Sequence, residues 1–303
     1  MTGLTDFLHY LHANIPALEL CSAEPMAAHT SFRIGGPADV MAFPKNTDEL
    51  SKLLIAANKY NIAPRILGAG TNILAPDEGL SGLVICLKDC LDGMELLEGN
   101  CLRVFAGVTM TRAAVFAANH GLAGLEFAHG IPGTVGGGVY MNAGAYGGEI
   151  NMVCKSVDVM SLDGVLSTFS VEDMGFSYRH SRLEDEGGIV VSAVFALTAD
   201  DSDAIRGRMQ ELMAKRKNSQ PLDLPSAGSA FKRPVGGYAA ALIDQAGLKG
   251  YQIGGAAVST KHAGFVVNLD KATARDVRAL LTSVSDIVFE KSGIRLEPEV
   301  RIW

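Results

Sequence analysis

Apolar and polar positions follow two alternating periods along this chain, and the switches between them predict its elements. Residues 48–60 (DELSKLLIAANKY) carry apolar side chains at helical spacing, and the apolar run after them ends in a glycine turn, RILGAGTNIL. A helix, a strand and a loop are expected there. Between Gly82 and Ala106 lie three strand-like runs, LVICLK, MELLEG and CLRVFAG, after which Thr109 caps a helix that ends at Gly121. VCKSVDVMSLDG, VLSTFS and GIVVSAVFALT read as further strands, with FSYRHSRL (176–183) between the last two. Residues 200–218 predict a polar helix, and SQPLDLPSAGS (219–229) is the most linker-like stretch, which sets a boundary near residue 204. Beyond it come a helix over 238–246, strands at GGAAVST and GFVVNL, and a long helix over 273–291. In that last helix Val277, Leu280, Leu281, Val284, Ile287 and Val288 form one stripe. Gly293 stops it, and IRLEPEVRIW closes the chain as a strand.

One stretch fits neither period. Between Glu126 and Glu149 stand eight glycines, with Pro132, Asn142, two tyrosines and no basic residue. A glycine inside a regular element costs roughly 0.5–1 kcal/mol relative to alanine, so such a cluster implies a close approach to the bare backbone. Two separate glycine turns, GAGTN after a strand and IPGTVGG before a helical run, can each point N–H groups at a phosphate. Neither has the GxGxxG spacing with a following acidic residue, so a nucleotide held in a fold other than the Rossmann unit is indicated. Tight turns with no ligand are the competing reading.

Composition narrows the guest. The chain has 303 residues, 48% hydrophobic and 19% charged, with a net charge of −7. That excludes a disordered chain and argues against a nucleic-acid surface, while leaving room for a local basic pocket for a small anion. Five cysteines with no CxxC pair read as reduced thiols, with neither disulfides nor zinc expected. The first twenty residues show no signal-peptide pattern and no run of 18 apolar residues occurs, so a cytoplasmic protein with no membrane partner is expected.

Six ordered motifs carry a family resemblance: TSFRIGGPAD (30–39), LGAGTNIL (67–74), GIPGTVGGGVYMNAGAYGGE (130–149), SYRHS (177–181), GSAFKRP (228–234) and LEPEVRI (296–302). Together they resemble the UDP-N-acetylenolpyruvoylglucosamine reductases, flavoproteins of peptidoglycan precursor synthesis. The resemblance implies an α+β fold of the vanillyl-alcohol-oxidase/p-cresol-methylhydroxylase type. Residues 1–88 and 89–203 would be its two FAD-binding subdomains and 204–303 a C-terminal α/β substrate domain. FAD contacts are then expected from Gly68, Ala69, Gly70, Thr71 and Asn72, from Gly130, Ile131, Pro132, Gly133, Gly136 and Gly137, and from Asn142, Gly144 and Ala145. No histidine stands in the first glycine turn to tether the flavin, so noncovalent FAD is expected.

The implied reaction passes hydride from NADPH to FAD and on to the enolpyruvyl β-carbon of a UDP-sugar. Such an addition needs a proton donor for the α-carbon and stabilisation of the enolate. The motifs place Ser229 as donor, with Arg179 and Glu299 on the developing charge; a guanidinium suits that task because it stays protonated and presents forked donors. Without the resemblance, Ser229 reads as a turn serine and the two charged residues as surface ion-pair members. Tyr146, Lys232, Arg233 and Arg301 are candidate substrate contacts. Only EDEGG separates SYRHSRL from the next strand, which leaves no space for the extra tyrosine-bearing loop of the family's longer class. A monomer without a metal is expected. A flavin oxidase, a nucleotide-binding regulatory module and a reductase of another UDP-sugar are the alternatives.

Overall fold

The structure, a computed structural model, describes residues 2–303, and these group into two units. The first is built from residues up to Ser22, Val40–Ala69 and Gly82–Ala214; the second from Ala23–Asp39, Gly70–Ser81 and Lys215–Trp303.

The first unit opens with helix α1 (Thr2–Asn14). Strands β1 (Glu19–Pro25), β2 (Pro37–Phe43), β3 (Arg65–Leu67) and β4 (Leu80–Cys86) form a sheet of order β1-β2-β4-β3, in which β3 runs parallel to β4. Helix α2 (Thr47–Lys59) starts where Asn46 Oδ1 accepts the Glu49 amide at 2.9 Å. Its Leu50, Leu53 and Leu54 pack with Phe7, Leu11, Leu83 and Ile85 into one core.

A second core lies against an antiparallel five-stranded sheet. Its strands are β5 (Met94–Leu97), β6 (Cys101–Phe105), β7 (Cys154–Met160), β8 (Leu166–Ser170) and β9 (Ile189–Ala196), in the order β8-β7-β9-β6-β5. Helix α3 (Met110–Asn119) is capped as the sequence predicts, with Thr109 Oγ1 accepting the Arg112 amide. Helix α4 (Val135–Tyr140) buries Val135 and Val139 in the same core. Helix α5 (Ser202–Ser219) adds Ile205 and Met209 to it.

In the second unit β10 (Ser226–Ser229), β11 (Gln252–Ile253), β12 (Ala256–Val258) and β13 (Phe265–Asn268) form an antiparallel sheet of order β10-β13-β12-β11. Helices α6 (Ala239–Gln245) and α7 (Ala274–Ser292) share its core, where Val277, Leu280, Leu281, Val284 and Val288 are buried as the predicted stripe requires. The expected linker over 219–229 ends differently: its last four residues, Ser-Ala-Gly-Ser, are strand β10. A sequence so small and polar carries no period-2 signal, and its place is set by β13, which pairs Ser226 with Val267 and Ser229 with Phe265.

Helix α7 begins in a capping box, with Thr273 Oγ1 accepting the Asp276 amide and Asp276 Oδ2 accepting that of Thr273, both at 3.0 Å. Gly293, at φ 71°, ends it in the left-handed region. The bonded amides hold the Asp276 carboxyl below its usual pKa. Asp276→Ala should therefore lower stability by about 1 kcal/mol at neutral pH. Because the folded-state pKa is the lower one, that difference holds above the ordinary carboxylate range and fades as pH falls through the folded value. Thermal melts of both proteins from neutral to acid pH check both parts.

Among the described residues no helix is long and apolar enough to cross a membrane.

Candidate active site

In the first unit the start of the first glycine turn meets the second. A Cβ at Gly68, just past β3, would stand 2.6 Å from Thr134 Oγ1, so only a bare backbone lets the first turn lie against the second. Thr134 is also the N-cap of α4, its Oγ1 accepting the Gly137 amide at 3.3 Å. A threonine before a helical run is a cap signal, so the cue to Thr134 lies in the sequence itself.

The glycines beyond Thr134 divide by what they face. A Cβ at Gly136 would meet that of Ala106 at 2.8 Å, and its amide already donates to the Ala106 carbonyl. A Cβ at Gly138 would meet Met110 Sδ at 2.8 Å, one at Gly144 the backbone of Gly148, and one at Gly148 the ring of Phe127. These four serve the packing of the protein on itself. Gly137, in α4, is exposed, with only Thr134 Oγ1, 3.6 Å away, near its missing Cβ. The Gly130 amide donates to Thr111 Oγ1, that of Ile131 to Ala128, and Gly133 gives its carbonyl to Met110, so the IPG bend around exposed Pro132 is fixed from within.

Open donors lie elsewhere in the two turns. Among the described residues no acceptor takes the N–H of Ala69 or Gly70, and the buried Nδ1 of His129, just before Gly130, has no hydrogen-bond partner. Gly70, at φ 60°, cannot be replaced without contact, because its Cβ would fall on the His29 carbonyl oxygen. Free amides at half-buried Ala69 and buried Gly70, and an orphaned ring nitrogen, fit a nucleotide diphosphate. Half-buried Thr71 follows in the same loop.

Asn142 proves to be structural as well as central. It is fully buried at φ 44°, its Nδ2 donates to the Ser177 carbonyl at 3.0 Å, and its Oδ1 accepts the Asn151 amide at 3.0 Å. Ser181 Oγ donates to the Tyr140 carbonyl at 2.7 Å. Asn142 and Ser181 thus dock SYRHS on the end of α4 and the loop after it, with Ser177 and His180 closing a turn on each other. Arg179 sits in that turn at φ 57°, stacks over Tyr178 at 4.9 Å and donates to the Gly144 carbonyl at 3.2 Å. A non-glycine residue held at positive φ stores strain, which clusters at functional sites. Ala145 and Gly148 pair across a hairpin whose two tip residues, Tyr146 and Gly147, both have positive φ, and the Tyr146 side chain is exposed there.

In the second unit the structure brings Ser229 and Glu299 onto neighbouring segments. Ser229 ends β10, exposed; the next residue, Ala230, accepts the Glu299 amide at 2.9 Å, and Lys232 donates to the Glu297 carbonyl at 2.9 Å. Asn72 bridges from the other side, donating Nδ2 to the Glu299 carbonyl at 3.1 Å and accepting the Arg301 amide at 2.9 Å. The expected closing strand is confined to Arg301–Ile302, and a role for Asn72 in holding the irregular segment before it was not visible in sequence. Lys232 faces Glu297 in an exposed pair at 3.7 Å, and the Arg233 guanidinium stacks 4.6 Å from the centre of the Tyr238 ring. The cysteines lie apart from this chemistry: burial pushes the Cys86 thiol up to about 11 and that of Cys154 up to about 12, which keeps both protonated.

These features define the class first. A family model described as FAD binding domain matches residues 38–170, and one described as the C-terminal domain of UDP-N-acetylenolpyruvoylglucosamine reductase matches 220–303. The fold is thus an α+β FAD-binding domain followed by the C-terminal domain of these reductases. Curated proteins named UDP-N-acetylenolpyruvoylglucosamine reductase are similar across nearly the whole chain. That of Levilactobacillus brevis is 45% identical over 95% of this chain and 94% of its own, and that of Agathobacter rectalis 46% identical over 98% of each. A solved structure titled UDP-N-acetylenolpyruvylglucosamine reductase from Thermus caldophilus superposes with a TM-score of 0.81 at 36% identity, covering 94% of this chain and 98% of that one. The chain belongs to the UDP-N-acetylenolpyruvoylglucosamine reductase family.

Proposed function

We propose that this chain is the flavoenzyme that reduces UDP-N-acetylglucosamine enolpyruvate to UDP-N-acetylmuramate with NADPH, in the synthesis of peptidoglycan precursors. FAD, when bound, relays hydride between the two substrates. The turn at 68–72 holds its diphosphate through the open amides of Ala69 and Gly70, and the turn at 130–137 lies along it, with Asn142, Gly144 and Ala145 supporting the second turn. Arg179 pairs with the substrate carboxylate and the charge that develops on it, since a guanidinium offers two parallel donors to a carboxylate. Ser229, exposed at the end of β10, delivers the proton to the α-carbon. Glu299 stabilises the enolate from the segment beside it. Lys232, Arg233 and Arg301 meet the nucleotide diphosphate, and Tyr146 the sugar.

The observation that carries this reading is the bond from the Glu299 amide to the Ala230 carbonyl, which sets the acid-bearing segment and the carboxyl-bearing segment side by side. The division of roles follows residues 1–88 and 89–203 for the flavin and 204–303 for the substrate. The protein acts in the cytoplasm as a monomer.

The test is a single preparation. The purified chain should be yellow, acid precipitation should leave the flavin in the supernatant, and NADPH oxidation should require the enolpyruvyl substrate. Rapid oxygen consumption without that substrate would favour a flavin oxidase instead, and yellow colour left in the pellet would reject noncovalent binding.

A further inference from the structure

We propose that His262 is a positioning residue for the Ser229–Glu299 pair, acting through the main chain of Gly264 and Ala230; this rests on the reading of Ser229 and Glu299 as catalytic groups. The turn STKHAGF joins β12 to β13. Within it the Gly264 amide donates to His262 Nδ1 at 3.1 Å, and the Gly264 carbonyl accepts the Ala230 amide at 2.8 Å. The Ala230 carbonyl in turn accepts the Glu299 amide at 2.9 Å. One imidazole nitrogen thereby anchors three successive segments, and the residue next to Ser229 is the middle link.

The rest of the turn is built to hold that imidazole. Ser259 Oγ accepts the amides of Lys261 and His262 at 3.1 and 3.3 Å. The His262 ring meets Phe265 edge-on at 5.0 Å between centroids, and Phe265 is the residue paired with Ser229. Gly264 is closely packed, since a Cβ on it would lie 3.1 Å from both Ala240 Cβ and His262 Cε1. Accepting through Nδ1 places the ring proton on Nε2, and burial favours the neutral ring that can accept. An acceptor two residues before the amide it binds is the arrangement asparagine makes with its own Oδ1. Asparagine should replace this histidine, and alanine should not.

The reason the link matters is distance. Displacing a catalytic group by about 1 Å can cost on the order of a hundredfold in rate. His262→Ala should lower substrate reduction about ten- to a hundredfold, mostly in kcat, and leave reduction of FAD by NADPH unchanged. His262→Asn should recover most of the loss. Hydrogen exchange should quicken at the Gly264 and Ala230 amides in the alanine variant and return to the wild-type rate in the asparagine one. Should His262→Ala fail to fold, His262→Gln, whose acceptor sits one bond further out, should show the same selective loss. An alanine variant, or a glutamine one in its place, with wild-type substrate reduction, equal damage to both half-reactions, or an asparagine variant as impaired as alanine overturns the proposal. So does unchanged exchange at Ala230, whatever the activity. Wild-type protein that never reduces the enolpyruvyl substrate rejects the underlying assignment instead.

Discussion

Replacing Ser229 by alanine is expected to stop one half of the reaction and spare the other. Hydride arriving at the β-carbon leaves an enolate whose α-carbon must be protonated, and general acid catalysis typically contributes ~10²–10⁴-fold to such a step. The loss in substrate reduction should fall in that range. Reduction of FAD by NADPH needs no proton from Ser229 and should proceed nearly as before. The side chain is exposed at the end of β10, and the segment that follows is held by the Gly264 and Glu299 backbone bonds, so removing one hydroxyl leaves the framework intact. Stopped-flow traces of the two half-reactions separate the outcomes. Equal damage to both would make Ser229 a structural residue.

The second large effect concerns a glycine whose side is open. Gly137→Leu adds a side chain on the exposed face of α4, where the nearest protein atom to a Cβ is Thr134 Oγ1 at 3.6 Å. A leucine there removes the roughly 1 kcal/mol that glycine costs inside a helix, so the flavin-free protein should melt no earlier than wild type. FAD affinity should nevertheless fall about ten- to a hundredfold, because overpacking a filled site costs on the order of 1–3 kcal/mol and displaces the contacts around it. Gly136→Ala makes the contrast, since its Cβ would strike Ala106 at 2.8 Å and it should destabilise the protein even without flavin. Flavin fluorescence titration alongside melts of the flavin-free proteins reads both. A Gly137→Leu protein that binds FAD like wild type would place the cofactor elsewhere.

How far the sequence reaches is clearest at particular residues. Thr109, Thr273 and Gly293 announced their helix ends because capping is local chemistry, readable within four residues. The stripe on α7 was legible for the same reason, as its period is internal to the helix. The run Ser226–Ser229 was hidden because its strand character comes from a partner forty residues on. The glycines were recognised as a close approach, yet four of them, Gly136, Gly138, Gly144 and Gly148, approach the protein's own atoms. No local pattern distinguishes a backbone that bares itself to a ligand from one that bares itself to a methyl group. Thr134 against Gly68, Asn72 between Glu299 and Arg301, and Gly264 between His262 and Ala230 are long-range meetings of segments. The motifs named most of the participants, and only the fold shows who holds whom.

The central claim is that two separated turns share one flavin diphosphate, and hydrogen exchange on the flavin-free protein, with and without added FAD, tests it directly. Slowed exchange on FAD binding in both the 68–72 and the 130–137 segments is the predicted result. Protection confined to one turn, or to neither, would contradict the account.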